Sequence, residues 1–317
     1  MTSNAGNLKI IFMGTPQLAV PVLKALLKAG HNLVGVYSQP DRQSGRGKRV
    51  QHTPVKKTAL ELGLPVFQPA SLRRDEAARD ELAELQPDLI VVAAYGLFLP
   101  AETFSLPRLK TLNVHPSLLP RYRGPSPVST AILNGDTETG VTLIQLDEGM
   151  DSGPIVAQLT TEVSQSEACD VLTDRLFKIG SQLLVDTIPA WAVGDVSSES
   201  QDESLVTVTS RLTREDGLVD WSGSAEFIAR KIRAYHPWPG THTTWQGKTV
   251  KIISGKSLSS LSLDAPGTVL ALDDGAGVTT GNGLFVPDTL QMEGRRPATA
   301  SEFVQGYQDF VGSRLGL

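Results

Sequence analysis

An amide, an imidazole and a carboxylate define the chemistry open to this chain. Asn113 and His115 stand two residues apart where a short apolar run ends in the proline-rich stretch 110–124, KTLNVHPSLLPRYRG. On a strand, residues two apart share a face. Asp151 follows a second apolar run, in the stretch 141–154 (VTLIQLDEGMDSGP), which also holds Asp147 and Glu148. Polar side chains where a strand gives way to a loop occupy the usual site position of an open α/β sheet. A donor for a developing oxyanion, beside an imidazole and a carboxylate that move protons, suits acyl transfer to an amine. Each residue alone has an ordinary explanation: a satisfied core histidine, an asparagine serving a turn, acids solvated in a glycine loop. It is their joint placement at neighbouring strand ends that points to a site.

The positioning elements are those of an α/β protein. Residues 8–13 (LKIIFM) and 87–96 are continuous apolar runs of the kind buried on both faces in a parallel sheet. Leu18, Val22, Leu23, Leu26 and Leu27 follow the first run at helical spacing, and residues 33–37 form the next strand. The intervening turn, Gly14-Thr15-Pro16, is not G-x-G-x-x-G, and no acid ends the second strand, so a dinucleotide site is not indicated. Thr53 and Pro54 read as the cap and first residue of a helix, and Ser166 as the cap of a long one. Strands alternating with helices predict a doubly wound, mostly parallel, Rossmann-like domain over residues 1–205. Residues 194–204 (GDVSSESQDES) carry a linker signature. Beyond them, short strand-like pieces and Gly-containing turns predict a small antiparallel β-barrel of OB type in a domain spanning 206–317.

Composition bounds the partners. The 317 residues are 40% hydrophobic and 20% charged, with net charge −5, so any nucleic-acid site must be a local basic patch. Residues 39–57 hold Arg42, Arg46, Lys48, Arg49, Lys56 and Lys57 against Asp41, with Gly45 and Gly47 between them. That is either a solvated charge run or a phosphate-binding arm. Residues 205–256 are also locally basic, and Trp221, Trp238 and Trp245 lie among those charges, expected as core more than as stacking platforms. The single cysteine, Cys169, excludes an intrachain disulfide and fits a reducing cytoplasm. His and Cys stand in no metal-ligand spacing, and no signal sequence or membrane span is expected.

Taken together, Asn113-Val114-His115, Ser117-Leu118-Leu119-Pro120, Arg121-Tyr122-Arg123-Gly124 and Asp151-Ser152-Gly153-Pro154 resemble the folate-dependent formyltransferases. The similarity extends over nearly the whole chain, through Gly14-Thr15-Pro16, Gln39-Pro40-Asp41-Arg42, Gly45-Arg46-Gly47-Lys48 and Pro237-Trp238-Pro239-Gly240. Pro116 departs from it, standing where many members have glycine. The resemblance implies transfer of a formyl group from 10-formyltetrahydrofolate, a cosubstrate rather than a bound cofactor, to an amine. It implies catalytic roles for Asn113, His115 and Asp151 and folate contacts at Ser117, Leu118, Leu119 and Pro120, with residues 95–99 walling the pterin pocket. The members it points to act on initiator methionyl-tRNA. Arg42, Arg46, Lys48 and Arg49 are then expected to meet the acceptor end, and the C-terminal barrel to hold RNA, in a monomeric bacterial-type cytoplasmic enzyme. A formyltransferase for a small amine, such as a sugar nucleotide or purine precursor, and a formyl-folate hydrolase remain alternatives. A small acceptor needs neither the basic loop nor the barrel.

Overall fold

The computed structural model describes residues 7–44, 49–260 and 264–316. Arg46 and Lys48, with Gly45 and Gly47, lie outside the described residues, as does the side chain of Arg49. The chain divides into two compact units: 1–124, 138–162 and 173–209 in one, and 125–137, 163–172 and 210–317 in the other. No helix among the described residues is long and apolar enough to cross a membrane.

In chain order the strands of the first unit are β1 (Lys9–Gly14), β2 (Asn32–Tyr37), β3 (Arg42–Ser44), β4 (Arg49–Gln51), β5 (Val66–Phe67), β6 (Leu89–Ala93), β7 (Thr111–His115), β8 (Glu138–Gln145) and β9 (Ile155–Glu162). Seven build one sheet in the order β5-β2-β1-β6-β7-β8-β9, and β3 and β4 form a separate antiparallel pair. Pairing is parallel from β5 to β7, then antiparallel through β8 and β9. The apolar runs dictate this: every residue of β6 and all but the first of β1 are buried, as strands covered on both faces must be. Strand order reverses direction between β1 and β6, so the carboxyl ends of β1, β6 and β7 frame the crevice where such sheets bind ligands.

The helices are α1 (Val20–Lys28), α2 (Pro54–Glu61), α3 (Glu76–Glu84), α4 (Ala101–Phe104), α5 (Pro127–Asn134), α6 (Cys169–Val193), α7 (Ala225–Ala234) and α8 (Ala300–Gly306). Thr53 caps α2 as expected, its hydroxyl accepting from Lys56 N at 3.2 Å. Ser166 does not cap α6, which begins at Cys169. Residues 164–167 close a turn instead, with Glu167 N on Ser164 O at 3.3 Å and Ser166 N on Ser164 Oγ at 3.4 Å. Competition from such local side-chain bonds is why serine alone marks a helix start poorly.

The second unit carries an antiparallel sheet of β10 (Thr241–Trp245), β11 (Lys248–Leu258), β12 (Val269–Leu272), β13 (Gly275–Thr279), β14 (Leu284–Met292) and the short β15 (Ala298–Thr299). Its order is β10-β11-β14-β13-β12, with β15 added to β14. β11 and β14, of 11 and 9 residues, are longer than the short strand-like pieces that alternation predicts. Gly255 and Pro287 break the sequence signal, yet they pair with each other just past a register shift. The core gathers Trp221, Trp245, Phe285, Phe303 and Phe310. Trp245 meets Phe310 edge-on at 5.2 Å and 89°, a favoured aromatic geometry. Trp221 and Trp245 are therefore core, whereas Trp238 is 62% exposed.

Candidate active site

β7 delivers Asn113 half-buried and His115 buried on one face, at the carboxyl edge of the parallel strands. No hydrogen bond to a described residue engages the Asn113 amide. The His115 ring is fixed from both sides. Its Nε2 lies 3.0 Å from the backbone oxygen of Tyr122, and its Nδ1 lies 3.6 Å from Asp151 Oδ1. A carbonyl oxygen only accepts, which assigns the hydrogen to Nε2 when the ring is neutral. The bare Nδ1 then faces a carboxylate across a gap too long for a strong hydrogen bond. Two acceptors converging on one point are arranged to receive a proton.

Asp151 adopts φ 52°, a left-handed backbone that costs a non-glycine residue about 1 kcal/mol or more and persists only where its surroundings hold it. Gly124 N donates to Asp151 Oδ2 at 2.9 Å. Two residues on, Gly153 passes so close to β8 that a Cβ there would stand 1.8 Å from Gln145 O. The loop's other acids do different work. Asp147 accepts from Gly149 N and from Ser152 Oγ at 3.1 and 2.9 Å, closing the turn, and Glu148 is exposed.

The segment after β7 is sewn to the antiparallel strands. Thr142 Oγ1 donates to Ser117 O at 2.6 Å and accepts from Leu119 N at 3.1 Å. Gln158 Nε2 donates to Leu119 O at 2.9 Å. Ser117 is fully buried, its hydroxyl donating to Arg121 O at 2.8 Å, and Leu119 is buried too. Leu118 and Pro120 carry the segment's exposed surface, and Leu119–Pro120 is cis. Pro116 is accommodated half-buried between the Asn113/His115 pair and this segment.

The stretch 194–204 is not a free tether, contrary to its composition. Glu199 exchanges both backbone bonds with Ile155, at 2.7 and 2.8 Å. Buried Gln201 donates through Nε2 to the backbone oxygens of Asp151 and Gly153, each at 2.8 Å. Its Oε1 accepts from Arg123 Nε at 3.0 Å, and Arg123 forks onto Glu203 at 2.7 and 3.4 Å. Further along, Tyr122 N donates to Thr207 Oγ1 at 2.8 Å, and Thr209 N donates to Arg123 O at 2.8 Å. Residues 199–209 thus form a strap across both site loops. Gln201 is not signalled by the sequence, because it sits in the polar run 194–204, and Thr207 lies just beyond that run in the alternating Val206-Thr207-Val208-Thr209.

At the carboxyl end of β1, Thr15 Oγ1 donates to Tyr95 O at 2.8 Å and accepts from Gln39 N, just past β2, at 3.3 Å. Gln39 Nε2 donates to Tyr95 O at 3.0 Å, and exposed Arg42 donates to Gln39 Oε1 at 3.1 Å. The root of the basic segment is pinned by Asp41. It accepts from Lys56 Nζ at 2.6 Å and Gln68 Nε2 at 2.9 Å, with His52 Nδ1 at 2.8 Å. The Lys56 hydrogen bond, seconded by Gln68 and His52, holds the Asp41 carboxyl well below its ordinary value of 3.8. Among the described residues, no group of three or more His, Cys, Asp or Glu is placed to hold a metal ion.

A parallel sheet with an Asn-His pair at its carboxyl edge and an Asp on the next loop defines a class, and comparison with known proteins agrees on it. The family described as Formyl transferase matches residues 8–188, and that described as Formyl transferase, C-terminal domain, matches residues 211–308. The methionyl-tRNA formyltransferase of Roseiflexus castenholzii is 47% identical over 312 residues, covering 98% of this chain and 99% of that protein. That of Marinobacter nauticus is 43% identical, covering 94% and 96%. Among solved structures, HypX from Aquifex aeolicus in complex with tetrahydrofolic acid superposes with a TM-score of 0.65 at 20% identity, covering 96% of this chain and 48% of that one. An N-formyltransferase from Helicobacter canadensis, in complex with folinic acid and dTDP-3-aminofucose, gives 0.66 at 19% identity, covering 88% and 99%. The chain belongs to the formyl transferase family, among the methionyl-tRNA formyltransferases.

Proposed function

We propose that the chain transfers the formyl group of 10-formyltetrahydrofolate to the free amino group of methionine on initiator tRNA, giving N-formylmethionyl-tRNA. The observation that carries this is the pair of converging acceptors, His115 Nδ1 and Asp151 Oδ1, beside a half-buried Asn113. Close identity to methionyl-tRNA formyltransferases over nearly the full chain supports the choice of acceptor.

In the proposed reaction the amine nitrogen attacks the formyl carbon, and the carbonyl electron pair moves onto oxygen. Asn113 donates an N–H to that oxyanion, a role in which a lost donor costs about 10²–10³ in rate. The amine proton passes to the His115/Asp151 pair, the oxyanion re-forms the carbonyl as the bond to folate N10 breaks, and N10 leaves with a proton from the same pair. The donor is already an activated amide, so no covalent enzyme intermediate is required. Leu118 and Pro120 supply the exposed contacts to folate, with Ser117 and Leu119 holding that segment in shape. Arg42, Arg46, Lys48 and Arg49 meet RNA phosphates near the acceptor end.

The test is product identification. The protein is incubated with 10-formyltetrahydrofolate, with and without charged initiator tRNA, following tetrahydrofolate release and the formylated aminoacyl ester. Release that requires the RNA and matches ester formylation is expected. Release independent of RNA would indicate a hydrolase.

A further inference from the structure

We infer that Gln201 is a positioning residue, setting the place at which Asp151 meets His115. The inference rests on the proposed role of Asp151 as proton acceptor. Asp151 holds a left-handed backbone that its surroundings must support, and its backbone oxygen is fixed by Gln201 Nε2. The same NH2 group spends its other hydrogen on Gly153 O, and Oε1 takes Arg123 Nε, so every strong hydrogen-bonding function of this buried amide faces a partner. The reverse orientation would set Oε1 against two backbone oxygens and NH2 against an arginine donor, so the assignment is unambiguous. Arg123 stands between Tyr122, whose oxygen holds His115 Nε2, and Gly124, whose N–H holds Asp151 Oδ2. The contacts close a ring: His115, Tyr122, Arg123, Gln201, Asp151 and back to His115. Gln201 is its one member from the strap, and it ties the Asp151 loop to the Arg123 loop through bonds that do not use the Asp151 carboxylate. Such support from behind a catalytic group is what keeps a site at productive geometry.

Gln201→Met keeps the length of the side chain and removes all three bonds. Misplacing a catalytic group by about 1 Å can cost 10²-fold, so kcat on initiator methionyl-tRNA is expected to fall about 10- to 100-fold, with KM for 10-formyltetrahydrofolate within about twofold of wild type. In an Asp151→Asn background the same substitution is expected to lower kcat by less than about twofold, because the group it positions is already gone. An unchanged kcat, or an equal fractional loss in both backgrounds, overturns the inference. Should Gln201→Met not fold, Gln201→Glu enters the same cycle; it retains the bond from Arg123 and replaces only the donor. No transfer by the wild type measured alongside would overturn both the proposed reaction and this role. Wild-type transfer with unaffected Gln201 variants would overturn this role alone.

Discussion

Among residues, neighbours decide which of several similar side chains stands against the imidazole. Asp147, Glu148 and Asp151 share one loop, but Asp147 is spent on its turn, Glu148 faces solvent, and Asp151 alone reaches the imidazole. The sequence offers the three equally; their separation depends on the bend that Gly153 permits against Gln145 O. Gly153→Ala is accordingly expected to destabilise by about 1–3 kcal/mol, the usual cost of forcing extra bulk into a packed site, and a urea midpoint close to wild type would contradict that. Asn113 and His115 are legible because strand periodicity places them on one face. The tautomer of His115 is not, because it depends on the Tyr122 backbone oxygen. Formyl transfer is expected to fall about 10² or more in His115→Ala and about 10²–10³ in Asn113→Ala, each with near-native circular dichroism. A His115→Ala rate within a few-fold of wild type would remove the imidazole from the mechanism.

At the scale of elements, apolar runs announce the strands well, and polar runs are poor guides. The buried strands β1 and β6 are plain in the sequence because burial on both faces leaves only apolar residues. The strap is the opposite case. Serines and acids look like a solvated tether, yet Gln201, Glu203, Thr207 and Thr209 bind the site loops through backbone and side-chain bonds, which composition does not encode. Limited proteolysis under native conditions is therefore expected to spare residues 199–209. Rapid first cleavage there would contradict the strap. The basic segment makes a second prediction. Asp41 has a depressed carboxyl value in the folded state, so its network contributes stability above about pH 4, lost only as pH falls through the folded value. The difference in urea midpoint between wild type and Asp41→Asn should shrink as pH falls below about 4; a difference growing there would reverse the sign.

At the scale of the whole molecule, chain order and compact units do not coincide. α5 and residues 163–172 interrupt the catalytic stretch yet fall in the same unit as residues 210–317. In that unit Arg230 donates to Leu133 O at 3.1 Å, and Arg233 donates to Glu167 O at 3.2 Å. Composition places a boundary near residue 205 because the repeating pattern changes there, but long-range packing of this kind leaves no mark in a sequence. A chain ended after residue 209 keeps the strap and loses the partners of α5. It is expected to unfold at lower urea than the full chain, and an equal midpoint would show that the catalytic stretch stands alone.

Asp151, held against His115, is proposed to take part in formyl transfer to methionyl-tRNA. Single-turnover formylation of initiator methionyl-tRNA by Asp151→Ala, beside Asp147→Ala from the same loop, checks that role. The predicted result is a loss of about 10² or more for Asp151→Ala, and a far smaller loss for Asp147→Ala, with both proteins folded. An Asp151→Ala protein that keeps its fold and most of the wild-type rate would contradict the account.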